Sequence, residues 1–293
     1  MKQGASIMVV HFVRIGAMTI LIIACMFLPF LPGQYDGLAV ALSGMSQLFG
    51  VAGLLLVPIG ALWLIYESRK RAPKNRLRSN KDKGYYFAIA SVVASSIVAA
   101  IVSLGAFVNL GISLGLGVLA LWTYCVLRMA PRLKLLKNAE IENFNPAPLY
   151  LLVVPMVVVL FQFSLVGPAT EFSRHYAIRK SAELINDIEE YQKANGRYPT
   201  SLLAVNKDYK PSVIGIEQFH YEPNGDAYNI YFEQLSTQFG TREIVMYNKL
   251  DEHFMASHDG DILLWTPEEL YARRGYYAVH DASSPHWKYF WFD

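Results

Sequence analysis

Residues 149–166 read LYLLVVPMVVVLFQFSLV, an uncharged apolar run that leads directly into a polar helical pattern. Roughly 20 apolar residues cross the hydrocarbon core of a bilayer, so this run predicts a membrane span. After Gly167-Pro168, small and apolar side chains recur at steps of four and three residues, which predicts an amphipathic helix capped by Asn195-Gly196. The span and the helix are predicted to form one kinked rod. The recurring residues are Ala177, Ser181, Leu184, Ile188 and Tyr191.

Upstream of this rod, the sequence predicts four further spans. The first is about Ile15–Leu31, and the second lies within Leu38–Tyr66. The third and fourth share the block Tyr85–Leu127, which is too long for one crossing and is predicted to reverse at Asn109-Leu110-Gly111. No small-x-small cleavage site follows the first span, so we expect it to be retained and not removed as a signal peptide.

These spans divide the chain into three parts. Residues 1–146 are predicted to be a four-helix transmembrane region with basic cytoplasmic loops, and residues 147–168 the fifth transmembrane helix. Residues 169–293 are predicted to form an exported domain. The fold class is therefore a membrane all-α bundle of five helices plus an exported α+β domain with a long N-terminal helix and a small antiparallel sheet.

The composition agrees with this division. The chain of 293 residues is 53% hydrophobic and 17% charged, whereas soluble domains carry about 25% charged residues. Its net charge of +2 is the sum of two unlike halves: residues 1–168 hold 14 basic and 5 acidic residues, and residues 169–293 hold 12 and 19. This composition argues against a wholly soluble enzyme and excludes a disordered chain.

The basic residues concentrate in two loops that predict the orientation of the spans. Residues 67–84 carry eight basic residues, whereas the turns at Asp36 and Asn109 carry none. Because basic loops stay in the cytoplasm, we expect a bacterial inner-membrane protein with a cytoplasmic N-terminus and a periplasmic or extracellular C-terminal domain. Membrane lipids are expected partners of the basic loop, and nucleic acid is not. The topology-determining residues are Arg69, Lys70, Arg71, Lys74, Arg76 and Arg78.

The ends of the second and fourth spans share Ala-Leu-Trp and a later Ala-Pro, around Trp63 and Trp122. Duplication of a two-span hairpin and convergence of two aromatic belts explain this pattern equally well. The predicted span interiors hold no Asp, Glu or Lys, and their larger polar groups are Gln47, Asn109 and Gln162. Close helix packing is therefore the favoured role of the bundle, and transport of a small solute or lipid is the alternative.

The half of the chain after residue 168 contains sequence patterns that are typical of strands and turns. Residues 219–221 and Ala227–Glu233 flank an Asn-Gly turn, which predicts a β-hairpin. Further strands are predicted at Arg242–Asn248 and Ile262–Trp265, and Thr266-Pro267 is typical of a helix start. The two cysteines, Cys25 and Cys125, fall in predicted spans. The exported half is therefore expected to fold without disulfides.

Residues 148–265 resemble the type IV pilin-like proteins, in particular the major pseudopilins of type II secretion. The resemblance is carried by Glu190-Tyr191-x4-Gly196-x-Tyr198-Pro199-Thr200 after the long helix, and by the hairpin Tyr221-Glu222-Pro223-Asn224-Gly225-Asp226. In a prepilin the corresponding helix follows a short leader and has a Glu near its start, whereas 149–166 contains no Glu. The resemblance therefore implies a pilin-like fold and an envelope setting, and not filament assembly.

One cluster in this half suggests metal chemistry. His253, His258, Asp259 and Asp261 combine imidazole and carboxylate ligands, so calcium or, less readily, a transition metal is a candidate. The favoured interpretation is an ordinary polar turn between two strands, because the spacing fits no dedicated metal loop. No cofactor is otherwise indicated, and neither a nucleophile elbow nor a glycine-rich phosphate loop occurs.

The aromatic C-terminus is a candidate interaction surface. Trp287, Tyr289 and Trp291 either pack on the sheet as a closing strand, which is favoured, or form an exposed patch for a partner or the membrane. We therefore expect a non-catalytic inner-membrane protein whose pseudopilin-like domain binds an envelope partner. The sequence is uninformative about the oligomeric state.

Overall fold

The computed structural model describes residues 2–70, 83–138, 145–205, 207–224, 226–235, 242–253 and 279–292. Over these residues the chain is mostly helical, with a small antiparallel sheet. Five helical segments are long and apolar enough to cross a membrane. They are Met8–Phe30, Gly37–Arg69, Gly84–Phe107, Ile112–Pro131 and the apolar part of Ala147–Asn195. The expected number of apolar spans is therefore confirmed.

The helices are labelled in chain order. The first six segments are α1 (Lys2–Phe27), α2 (Gly37–Gly53), α3 (Val57–Lys70), α4 (Lys83–Leu110), α5 (Ile112–Asn138) and α6 (Ala147–Lys180); α7 (Ala182–Asn195) follows. A 3₁₀ turn, Leu54–Leu56, joins α2 to α3 within the second span. Pro58 explains this turn, because its ring lacks the N–H that would bond the carbonyl of Leu54.

The reversal between the third and fourth spans lies where the sequence predicts it. α4 ends at Leu110, Gly111 adopts a φ of +96°, and α5 begins at Ile112. A positive φ is open to glycine because it has no Cβ, so Gly111 permits a turn of one residue. Ser103 Oγ donates a hydrogen bond of 2.7 Å to the carbonyl of Gly115, which joins the two helices below the turn.

The fifth span continues into the amphipathic helix without interruption at Gly167-Pro168, in agreement with the predicted single rod. α6 is continuous from Ala147 to Lys180 and includes both Pro155 and Pro168. Each proline removes one backbone donor, a loss that a helix of 34 residues tolerates. The interruption comes at Ser181 instead, where the hydroxyl donates to the carbonyl of Ile178 at 2.7 Å.

α7 begins after Ser181 and ends as the sequence predicts. Gly196 has a φ of +73°, and its N–H donates to the carbonyl of Gln192 at 2.8 Å. This is the left-handed cap that glycine commonly supplies. The predicted inward stripe is also confirmed: Ala177, Ser181, Leu184 and Ile188 are buried, and Tyr191 is half-buried.

Over the described residues, the sheet has five antiparallel strands in the order β1-β2-β3-β5-β4. They are β1 (His220–Asn224), β2 (Ala227–Leu235), β3 (Arg242–Asn248), β4 (Val279–Asp281) and β5 (Trp287–Phe292). The register Asn224↔Ala227 confirms the predicted hairpin, and β3 has the predicted bounds. The strand predicted at Ile262–Trp265 and the helix predicted from Thr266 lie outside the described residues.

One face of the sheet packs against the helices. Tyr228, Ile230 and Phe232 of β2 are fully buried and form one core with Leu184 and Ile188 of α7. The predicted period-2 pattern of β2 is therefore confirmed, because the same residues line the helix-facing side. The other face carries a second cluster formed by Ile244, Met246 and Phe290, with Tyr231 packed against it.

The chain divides into two compact units. The first comprises residues 1–26 and 41–164, and the second comprises residues 27–40 and 165–293. The second unit thus includes the segment between α1 and α2 as well as the C-terminal half of the chain. The boundary in α6 lies at Ser164–Leu165, whereas the sequence analysis divides the chain after residue 168.

In the first unit, glycine allows the second span to approach α6 closely. A Cβ on Gly60 would lie 3.0 Å from the backbone nitrogen of Leu152 and 3.1 Å from the carbonyl oxygen of Pro148. Backbone atoms cannot rotate away as a side chain does, so an added methyl group separates the helices. A Cβ on Gly44, in the same span, meets nothing within 4 Å.

We predict that Gly60→Ala destabilises the bundle and that Gly44→Ala does not. Overpacking costs about 1–3 kcal/mol, which exceeds the helix-propensity gain of about 1 kcal/mol that both substitutions share. The measurement is the thermal unfolding of the full-length chain in detergent. Equal melting temperatures for the two variants would contradict the close helix contact.

Candidate functional site

The proposed metal cluster falls mostly outside the described residues. His258, Asp259 and Asp261 are not described, so the cluster stays a prediction. His253 is described: its Nε2 lies 3.0 Å from the carbonyl oxygen of His286, and the His286 Nδ1 lies 3.1 Å from Asp251 Oδ2. Among the described residues, no group of three His, Cys, Asp or Glu side chains is arranged to hold a metal.

The aromatic C-terminus forms β5 and pairs with both β3 and β4. Trp287 is 4% exposed and packs against Phe232 and Tyr247 in the core, so its indole is not on the surface. Tyr289 is half-buried, with its ring beneath Arg174. The side chain of Trp291 lies outside the described residues. For Trp287 the structure shows the packed arrangement and not an exposed patch.

Of the basic loop, the structure describes the beginning. Arg69 is exposed near the end of α3, whereas the side chain of Lys70 and the residues Arg71, Lys74, Arg76 and Arg78 lie outside the described residues. Just before them, Glu67 is buried and accepts a hydrogen bond of 3.4 Å from Trp63 Nε1. Glu67 directly follows Tyr66, where the predicted second span ends, and lies in an apolar helix that extends to Arg69.

A buried ion pair joins α6 to the sheet. Arg174 is 4% exposed and Glu243 is 1% exposed, and Nε and Nη2 of Arg174 both donate to Oε1 of Glu243, at 2.9 and 2.7 Å. The guanidinium carbon lies 3.5 Å from the centre of the Tyr289 ring, which adds a cation–π contact. Arg174 therefore connects α6 to β3 and β5 at once.

Polar neighbours satisfy the rest of this cluster. Gln234 on β2 donates from Nε2 to Glu243 Oε1 at 2.6 Å, and Ser173 Oγ donates to Gln234 Oε1 at 2.8 Å. Burial raises the pKa of the Glu243 carboxyl above its usual value, while Arg174 and Gln234 oppose that rise. Removal of one charged partner would leave the other ionised group buried alone, which is strongly unfavourable.

Sequence reasoning missed this cluster, although the periodicities that locate it were available. Arg174 precedes Ala177 by three residues and so continues the buried stripe of the amphipathic helix. Gln234 follows Phe232 by two residues and therefore lies on the same face of β2. No periodicity in the sequence indicates that Glu243 faces the helix, because β3 carries apolar residues on both faces.

A second unpredicted feature is the segment between α1 and α2. Four backbone hydrogen bonds connect it to residues 212–215, from Gly33 N to Ser212 O, Ile214 N to Leu31 O, Gly215 N to Pro29 O and Asp36 N to Ile214 O, at 2.7–3.0 Å. Gly215 is required at this contact, because a Cβ there would lie 2.8 Å from the carbonyl oxygen of Pro29. The predicted simple turn is thus part of the α+β unit.

The first unit contains an apolar cavity of about 370 Å³. Its lining is almost entirely hydrocarbon, and Gln47, the polar side chain expected of a transport path, does not line it. Gln47 is buried and donates from Nε2 to Ser43 Oγ at 3.2 Å. Gln162 is also buried, and the side chain of Asn109 is not described. Representative lining residues are Met18, Val98, Val102, Leu121, Cys125 and Val154.

Comparison of this chain with protein-family models, curated proteins and solved structures finds no match.

We predict that Arg174→Met destabilises the α+β unit by about 3–5 kcal/mol, because Glu243 then stays buried without its cation. The double variant Arg174→Met/Glu243→Met removes both charges and is expected to recover most of that loss. Arg179→Met, an exposed arginine on the same helix, is the control. Thermal unfolding of the full-length variants measures these effects, and equal losses for Arg174→Met and Arg179→Met would contradict the account.

Proposed function

We propose that this chain is a non-catalytic bacterial inner-membrane protein that presents a periplasmic α+β domain to an envelope partner. The single observation that carries this proposal is the composition of the second unit. This unit contains both the segment that follows the first apolar helix and the polar half of the chain that follows the fifth apolar helix. Two chain segments that enter one compact unit lie on one side of a membrane, which supports an anchored domain.

The charge pattern supports the direction of this arrangement. The segment around Asp36 has no basic residue, whereas α3 ends with Arg69 and Lys70 and the sequence continues into a strongly basic stretch. Under the positive-inside rule, the first segment is exported and the second is cytoplasmic. The charge pattern therefore supports an exported location for the α+β domain.

The arrangement of the domain supports the pseudopilin-like assignment. α6 and α7 together form a long helical element packed on an antiparallel sheet, which is the arrangement that the resemblance implies. We propose that the domain binds a partner through its exposed surface and does not assemble into a filament. Leu203, 85% exposed on the turn after α7, and Leu250, exposed after β3, are candidate contact points.

The apolar cavity favours one form of the alternative function. A volume of about 370 Å³ with a hydrocarbon lining suits an acyl chain or another apolar solute and does not suit a polar substrate. Lipid transport or binding by the bundle is thus the second candidate. It differs from the leading proposal because it places the activity in the first unit.

We expect a photoreactive amino acid at Leu203 or Leu250 of the full-length chain to form a discrete adduct with one envelope protein in living cells. The control is Leu104, an exposed leucine on the apolar helix α4. Mass spectrometry of the adducts identifies the partner. Protein adducts at Leu104 alone, with none from the α+β domain, would contradict the proposal.

A further inference from the structure

The apolar cavity of the first unit is a groove with an exposed rim. Its deep wall contains Leu56, Val98 and Val154, which are 6%, 4% and 2% exposed. Two other lining residues are exposed, Met18 of α1 at 46% and Leu121 of α5 at 66%. Both helices contain apolar stretches long enough to span a membrane, so this rim meets hydrocarbon chains once the protein is inserted. The groove is therefore accessible from the bilayer.

The groove lies in the leaflet at which α1 begins. On α6 its lining starts at Tyr150, soon after the helix begins at Ala147. On α5 the lining runs from Val118 to Cys125, and the apolar span ends on the same side of the membrane at Pro131, because successive spans alternate in direction. Seven residues of α-helix rise about 10 Å, which is most of the roughly 15 Å of hydrocarbon in one leaflet. This length suits one acyl chain.

The two polar rings of the lining have hydrogen-bond partners within the protein. Trp122 Nε1 donates to Ser96 Oγ at 3.0 Å, and the Tyr150 hydroxyl lies 3.0 Å from His11 Nδ1. Because these bonds occupy the polar atoms of both rings, the rings present hydrocarbon to the groove. A polar ligand would lose its hydrogen bonds to water here without replacing them, so the interior of the groove favours an apolar chain.

Each of the two rim helices carries one arginine beside the groove. Arg14 precedes Met18 by four residues and Arg128 follows Leu121 by seven, so each arginine shares a helix face with its rim residue. Arg128 Nε donates to the Tyr124 hydroxyl at 3.1 Å. Within the described part of the chain, neither guanidinium has an acidic partner. Two positive charges that no carboxylate neutralises therefore flank the opening of the groove.

The depth of the two arginines identifies the anion that they can bind. Arg14 lies six residues after Met8, where its apolar span begins, and Arg128 lies three residues before Pro131, where its span ends. These intervals correspond to about 9 and 5 Å of helix. From this depth a long side chain extends to the headgroup layer. The anion of that layer is phosphate, whose oxygens the planar guanidinium binds in pairs.

We propose that the groove binds an anionic phospholipid of the leaflet at which α1 begins. One acyl chain fills the groove, and Arg14 and Arg128 bind the headgroup phosphate at its opening. This inference rests on the second candidate function, lipid binding by the bundle, and names the class of lipid and the residues that select it. It does not depend on the partner of the α+β domain.

The role of the arginines is tested by native mass spectrometry of the full-length chain in detergent, titrated with phosphatidylglycerol and, separately, with zwitterionic phosphatidylcholine. We expect phosphatidylglycerol to bind more tightly, because its headgroup has no cation to repel the arginines. Each of Arg14→Gln and Arg128→Gln should weaken its binding about fivefold, as expected for one basic residue near a membrane surface. Arg69→Gln is the control, because Arg69 is exposed on α3, and no described residue of α3 lines the groove.

Two neighbouring alanines of α4 test the groove itself. Ala99 lines the groove, whereas Ala100 is exposed and does not line it. Ala99→Phe should place its ring in the groove and weaken binding of both lipids about tenfold, roughly the contribution of two buried methylene groups. Ala100→Phe should leave binding unchanged. Ser95→Leu narrows the groove one turn away and should act as Ala99→Phe does, and thermal unfolding of each variant without added lipid monitors its folding.

Unchanged lipid binding by both groove variants would overturn the proposal together with the second candidate function. Weakened binding by the groove variants, combined with equal affinities for the two lipids, would overturn the headgroup assignment and leave a site for an apolar chain. A free fatty acid of the same chain length should bind more weakly than phosphatidylglycerol, and equally tight binding would overturn the phospholipid assignment. The photoreactive adducts at Leu203 test the partner of the α+β domain separately.

Discussion

The buried contact between Arg174 and Glu243 is the interaction on which the α+β unit depends. Arg174 lies only ten residues beyond the boundary between the two units, on a helix that continues through it. By pairing with Glu243 and lying over Tyr289, the guanidinium fixes the rotation of α6 relative to the sheet. That rotation then sets which side of α7 faces the core, and Leu184 and Ile188 fill it. Within this unit, side-chain contacts thus join the polar end of α6 directly to the sheet.

The second constraint is that the chain enters the α+β unit at two separate points. Residues 27–40 enter it from α1 and leave it into α2, and α6 enters it again after the rest of the bundle. Asp36 caps the N-terminus of α2, because its Oδ1 accepts hydrogen bonds from the backbone N–H groups of Leu38 and Ala39.

The sequence pattern predicted the parts of this fold that neighbouring residues in the chain determine. The apolar runs predict the spans, Gly111 the reversal, Gly196 the helix end, and the alternation of Tyr228, Ile230 and Phe232 the inward face of β2. The contacts between distant residues were not predictable, because Arg174 and Glu243 are 69 residues apart and neither carries a motif. The contact of Gly33 with Ser212 joins segments even farther apart. Pro168 does not end α6, because one missing backbone donor costs too little to terminate a long helix.

The central claim is that residues 27–40 and 165–293 lie together on the exported side. It is tested most directly by cysteine labelling in a background with Cys25 and Cys125 replaced by alanine. Single cysteines at Gln34, Ser201 and Ser68, all exposed, are treated with a membrane-impermeant maleimide before and after the inner membrane is permeabilised. The account predicts that Gln34→Cys and Ser201→Cys react before permeabilisation and Ser68→Cys only afterwards. Labelling of Ser68→Cys before permeabilisation, or protection of either of the other two, would contradict it.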